Sequence, residues 1–193
     1  MSHFFVKNKK YFLYSMFFFS FIVQSSDMNI QDTPSIVFNH SDDFLSEFSI
    51  PMPKNEDEYH ALVKKANSGN VDANWMLAVI QQTEGYRQEA SEKYKLSISR
   101  NDKYKLRSMV NLGFILEDEN KYSDARALFE LAGKSGYFEG YRTIGTNYLN
   151  GIGVNQDFNK AKEYFNKGSQ IGCHECTFLI NNWSDVIKLK KSE

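Results

Sequence analysis

The run Gly172-Cys173-His174-Glu175-Cys176 holds both cysteines of the chain, at positions i and i+3. Thiols at that spacing can close a disulfide, which an exported chain favours. They can form a redox pair, since a helix N-terminus lowers a thiol pKa. Such pairs sit in a βαβ setting, and no alternation of strand and helix patterns is present here. They can also be two small residues at a packed position. Disulfide and packing readings both stay open for Cys173 and Cys176. Zinc fits poorly, because a structural site takes four ligands and His174 has too few partners to complete one.

A second chemical candidate is Gly151-Ile152-Gly153. A phosphate-cradling loop needs a strand before it and a third glycine opening a helix. Here the preceding residues, Ile144 to Leu149, have helical spacing, and the third glycine is absent. Glycines just past a helix end supply positive φ and reverse the chain. Asn155 or Asp157 can then cap the next helix. His40, His60 and His174 lie far apart in sequence, His3 belongs to the N-terminal segment, and no serine sits in a nucleophile elbow. Asp42, Asp43, Glu56, Asp57 and Glu58 read as solvated charge. The sequence therefore assigns no catalytic residue, no metal and no cofactor, and the chain reads as a non-enzyme.

The elements that would position any site come next. The chain has 193 residues and a formal net charge of −1, so no global field points to nucleic acid or membrane. Hydrophobic residues are 41% and aromatics 15%, which is packing material unlike a disordered chain. Residues 1–25 stand apart. Lys7, Lys9 and Lys10 precede a mostly apolar run, Tyr11 to Val23, which exits through Val23-Gln24-Ser25. A basic start, a short apolar stretch and a small-residue exit describe a secretory signal peptide. A spanning helix needs roughly 20 apolar residues, more than this run offers. Cleavage, with a secreted or periplasmic product, is the expectation; an uncleaved anchor is the alternative. Residues 26–55 read as a linker or irregular arm, rich in Asp and Ser and holding all three prolines. Phe44, Leu45, Phe48 and Ile50 could pin part of it to the body.

Residues 56–193 are helical in pattern and repeat. Leu77-Ala78, Leu112-Gly113 and Ile144-Gly145 are equivalent pairs, spaced by 35 and then 32 residues. Ala90, Ala125 and Ala161 recur at 35 and 36 residues, each followed four residues on by an aromatic, Tyr94, Phe129 or Phe165. Self-similarity at that period is the mark of stacked helical hairpins. The small residues let two helix backbones approach, and the aromatics fill the space beside them. The expected fold class is all-α, a short α-solenoid of about three helical hairpins with capping helices. Tyr59 to Ala66 can cap the start, and Cys176 to Leu189 can form one closing helix.

These residues carry a resemblance. The stretch 111–132, with Leu112-Gly113, Tyr122, Ala125, Phe129 and Ala132, resembles a tetratricopeptide unit. The stretch 144–172 resembles a Sel-one-like repeat (SLR), through Ile144-Gly145, Tyr148, Gly151-Ile152-Gly153-Val154, Asp157, Lys160-Ala161, Tyr164-Phe165 and Gly172. The small-to-small step is 12 residues in the first two hairpins and 16 in the third, so the Gly-Ile-Gly-Val loop is a four-residue lengthening. The resemblance implies an α-solenoid acting as a protein-binding scaffold. Disulfide-rich exported relatives pair cysteines about one hairpin apart, a pattern absent here. In such a stack the first helix of each hairpin lines the concave surface. Its outward positions are Trp75, Val79 and Gln82, then Val110, Phe114 and Glu117, then Arg142, Thr146 and Leu149, with Phe178 and Asn182 from the closing helix. Trp75, Val79, Val110 and Phe114 would give an apolar patch and Arg142 a polar anchor. The alternative is that Trp75, Val79 and Phe114 pack between hairpins. The resulting expectation is a non-catalytic binder of a protein partner, with no nucleic acid and no stable membrane insertion once the signal is removed. By analogy with exported Sel-one-like proteins of this size, it would be a periplasmic immunity protein neutralising a secreted toxin effector. An envelope adaptor or regulator is the alternative class. A hydrolytic or penicillin-binding enzyme is a third, which the absence of a nucleophile–base pair argues against.

Overall fold

The structure is a computed structural model and describes residues 53–192, so the expected signal peptide (1–25) and nearly all of the expected arm (26–55) lie outside the described residues. Among the described residues every regular element is a helix. The chain falls into two compact units, divided between Tyr86 and Arg87.

The described part of the first unit is a pair of helices, α1 (Glu56–Asn67) and α2 (Val71–Thr83), packed on each other. Asn55 caps α1 by accepting the Glu58 N–H at 2.9 Å, and the Glu58 carboxylate accepts the Lys54 N–H at 2.7 Å. The first bond satisfies an amide that a helix start leaves open, and the second ties the residue before the cap to the first turn. Glu56, Asp57 and Glu58 lie in the first turn and Lys64 and Lys65 in the last, each sign at the dipole end that favours it. Asn70 caps α2 through the Ala73 N–H at 2.9 Å. Leu62, Ala66, Ala73, Met76 and Leu77 form the seam.

The second unit runs α3 (Arg87–Arg100), α4 (Lys105–Asp118), α5 (Tyr122–Lys134), α6 (Phe138–Asn150), α7 (Phe158–Gln170), α8 (His174–Asn181) and α9 (Trp183–Lys190). From α3 to α8 each helix packs on the next in sequence, the order a stack of hairpins requires. The repeated small residues explain the closeness. A Cβ on Gly113 of α4 would sit 2.4 Å from Phe129 of α5, and one on Gly145 of α6 would sit 2.8 Å from Phe165 of α7. Phe129 and Phe165 are fully buried in the space those glycines leave. Met109, Val110, Ala125, Ala132 and Ile144 complete the core around Phe129.

The two helices of the first expected hairpin exist as α2 and α3, on either side of the division between units. In their own units, α2 packs on α1 and α3 on α4. The single closing helix expected over Cys176 to Leu189 is two short helices, broken at Asn182. Asn182 Nδ2 donates to the Phe178 carbonyl at 2.8 Å, a local bond that competes with helix continuation.

Candidate functional site

Of the residues expected to face a groove, three are buried instead. Trp75, Val110 and Leu149 are each under 5% exposed, so as anchors open to a partner they are corrected to packing positions. Val110 lies in the Phe129 core, and Phe114 packs against it with its ring 5.4 Å from that of Phe129. Val79 and Gln82, on α2, are partly exposed within the first unit.

In the second unit, the partly exposed positions form a polar row over α4, α6 and α8. Glu117, on α4, is bonded by the Asn147 amide of α6, a tie between first helices of successive hairpins. Burial pushes the Glu117 carboxyl up to about 7, against the pull of the Asn147 bond and the Arg126 charge. Arg142, on α6, meets Glu139 of the same helix at 2.6 Å and Glu175 of α8 at 3.7 Å. Burial opposes the guanidinium charge, but the two carboxylates outweigh it and hold its pKa above the ordinary value. Thr146 Oγ1 donates to the Arg142 carbonyl at 3.0 Å. On α8, Phe178 follows Glu175 by three residues, hence on the same face. It is 51% exposed, a large apolar ring held in water. Asn182, partly exposed, closes the row.

The Gly-Ile-Gly-Val loop has a packing role. Gly151 (φ +72°) ends α6 and Gly153 (φ +62°) continues the reversal. The Ile152 N–H is occupied by the Asn147 carbonyl at 2.9 Å, and Asp157 caps α7 by accepting the Asn159 and Lys160 N–H groups at 3.0 Å each. The loop lies on the preceding hairpin. A Cβ on Gly153 would sit 2.2 Å from the Tyr122 ring of α5, and Arg126 Nη2 donates to the Gly153 carbonyl at 3.3 Å. The loop is therefore a clasp onto α5.

Sequence reasoning missed an aromatic stack on the same side. Tyr148 and Tyr164 stack at 5.8 Å, 16° from parallel, with Lys160 over the first ring and Lys167 over the second. Burial, with the Glu130 carboxylate beside it, pushes the Tyr164 phenol up to about 12. Tyr148 and Tyr164 were visible as repeat positions, but their contact spans two helices and leaves no one-dimensional signal.

Cys173 and Cys176 are joined as a disulfide, with Cα atoms 5.2 Å apart. His60 and His174 are exposed. Among the described residues no three His, Cys, Asp or Glu side chains gather as metal ligands, and no helix is long and apolar enough to cross a membrane.

Fold and site together define a stack of helical hairpins with a polar row along its first helices. No protein-family model matches the chain, and no curated protein matches it. The solved structures similar to it include two with Sel1 repeats or an SLR fold. One is a Sel1 repeat protein from Oxalobacter formigenes, with 21% identity and TM-score 0.45, covering 66% of this chain and 100% of its own. The other is a protective antigen present in uropathogenic Escherichia coli strains, displaying an SLR fold, with 19% identity and TM-score 0.48. That match covers 70% of this chain and 33% of the antigen, so the chain spans about a third of the antigen's length.

Proposed function

We propose that the chain is an exported, non-catalytic protein-binding module, and that its partner docks along the row Glu117, Arg142, Thr146, Glu175, Phe178 and Asn182. The observation that carries this reading is Phe178, half exposed one helical step from the Arg142–Glu175 pair. An exposed aromatic ring beside a partly exposed, ion-paired arginine combines two side-chain types that dominate interface energetics. Carboxylates around Arg142 fix its guanidinium in advance, which lowers the ordering cost on binding. Export rests on the N-terminal signal pattern. The narrower role suggested by the Sel-one-like resemblance is an immunity protein against a secreted toxin effector.

The test is capture from an envelope extract with wild type and with Phe178→Ser plus Thr146→Lys, both checked by thermal melting. Loss of the captured partner at unchanged melting temperature is expected. The same partner recovered at the same level overturns the row as the binding face. The immunity role predicts that a neighbouring gene encodes a secreted toxin, that coexpression with this chain restores growth against it, and that the same variant fails to do so.

A further inference from the structure

The corner between α7 and α8 is built around the two cysteines. Cys173 caps α8, its Sγ accepting the Cys176 N–H at 3.1 Å and its carbonyl accepting the Thr177 N–H at 3.1 Å. The Cys173 N–H donates in turn to the Gly168 carbonyl of α7 at 3.0 Å. The Ser169 and Thr177 hydroxyls meet at 2.6 Å, a second tie across the corner. Both cysteines are fully buried. Gly168 makes the room, since a Cβ there would lie 2.9 Å from Cys176 Sγ. A bridge between residues this close in sequence removes little entropy from the unfolded chain, so its effect on global stability is small. Its effect is local. An eight-residue helix such as α8 does not hold itself in water and depends on its anchorage. That helix carries Glu175 and Phe178.

We propose that the Cys173–Cys176 disulfide is a redox latch: closed, it staples the N-cap of α8 to its first turn, the turn that packs on Gly168 of α7; opened by a dithiol, it lets that turn fray and frees the Glu175–Phe178 face with it. The chemistry is ordinary exchange. One thiolate of the dithiol attacks Cys176 Sγ and forms a mixed disulfide, while the S–S bond breaks and the electron pair leaves on Cys173. The Cys176 N–H and the helix N-terminus stabilise that leaving thiolate. The second thiolate of the reagent then displaces Cys176. The reagent ends as a disulfide, and its two protons end on Cys173 and Cys176. Because both sulfurs are covered, attack requires the corner to open first, so the folded chain is reduced slowly. Control of partner binding by the latch rests on the docking row proposed above; the latch itself does not.

Amide hydrogen exchange on the full chain tests it, comparing the oxidised protein with protein held in excess dithiothreitol. Reduction should speed exchange of the α8 amides from Cys176 to Asn181 at least tenfold and leave α4 and α5 unchanged. Cys173→Ser with Cys176→Ser should exchange at the fast rate with or without the reagent. Equal α8 exchange in both states, an equal rise in every helix, or two free thiols in the protein purified under air each overturn the latch. Capture of the partner by the serine variant is the separating measurement. Fast α8 exchange with undiminished capture removes the regulatory role, and no capture in either state removes the docking reading while the latch stands.

Discussion

Glu117 shows how one carboxyl couples the stack to pH. It is largely buried between α4 and α6, and its pKa is raised from 4.5 to about 7, chiefly by burial. The folded state therefore holds the proton more tightly than the unfolded chain. The stabilisation is fully present below about pH 4.5, falls as pH rises, and is lost above about pH 7. Glu117→Gln removes the titration and keeps an amide able to bond Asn147. Its advantage in melting temperature over wild type should grow from about pH 5 to about pH 8, towards a ceiling of roughly 3 kcal/mol. Thermal melts across that range measure it. A gap that stays constant with pH would mean that the carboxyl titrates at its ordinary value in the fold.

At the scale of elements, the Gly-Ile-Gly-Val loop is the clearest join between one hairpin and the next. Gly153→Ala meets two penalties, a side chain at φ +62° and a methyl 2.2 Å from the Tyr122 ring. A loss of about 2–3 kcal/mol is expected. Tyr122→Ala removes the ring clash but keeps its own Cβ, 2.6 Å from the new methyl, and leaves the backbone part, so urea melts of the two singles and the double should show a coupling of ~1 kcal/mol. Additive losses would place the loop out of contact with α5. Sequence alone made the turn legible, because glycines after a helical period have one common use. It did not make the clasp legible, because Tyr122 and Gly153 meet only after folding. The pairs Gly113 with Phe129 and Gly145 with Phe165 were legible because a fixed repeat placed a small residue opposite an aromatic. The buried Trp75, Val110 and Leu149 were read as groove positions because adjacent residues on a helix turn by about 100°. With a step that coarse, whether a position falls in a groove or a seam is decided by its neighbours' side chains. The break at Asn182 was hidden by an apolar period that runs on past it.

Over the whole of the second unit, packing follows chain order, and this fixes how damage should spread. From α3 to α8 each helix is held by its sequence neighbours, so stability is close to a sum of neighbouring seams. Phe165 is fully buried on α7, fills the space over Gly145 of α6, and meets the edge of Trp183 of α9 at 6.0 Å. Phe165→Leu leaves part of that seam empty, at a cost of about 1–2 kcal/mol. In a single cooperative core that cost would raise exchange in every helix alike. In a stack it loosens the end nearest the defect, because α7 is the link through which α8 and α9 hold on. Amide exchange in Phe165→Leu should therefore rise in α7, α8 and α9, less in α6, and not in α3 and α4. A uniform rise across α3 to α9 would show that the unit opens as one body. The same gradient bears on function, because the exposed ring of Phe178 rides on the helix that this seam holds. If the gradient appears, the variant should also lose partner capture while its α4–α5 core stays intact, which ties the docking row to the order of the C-terminal helices rather than to the stability of the stack.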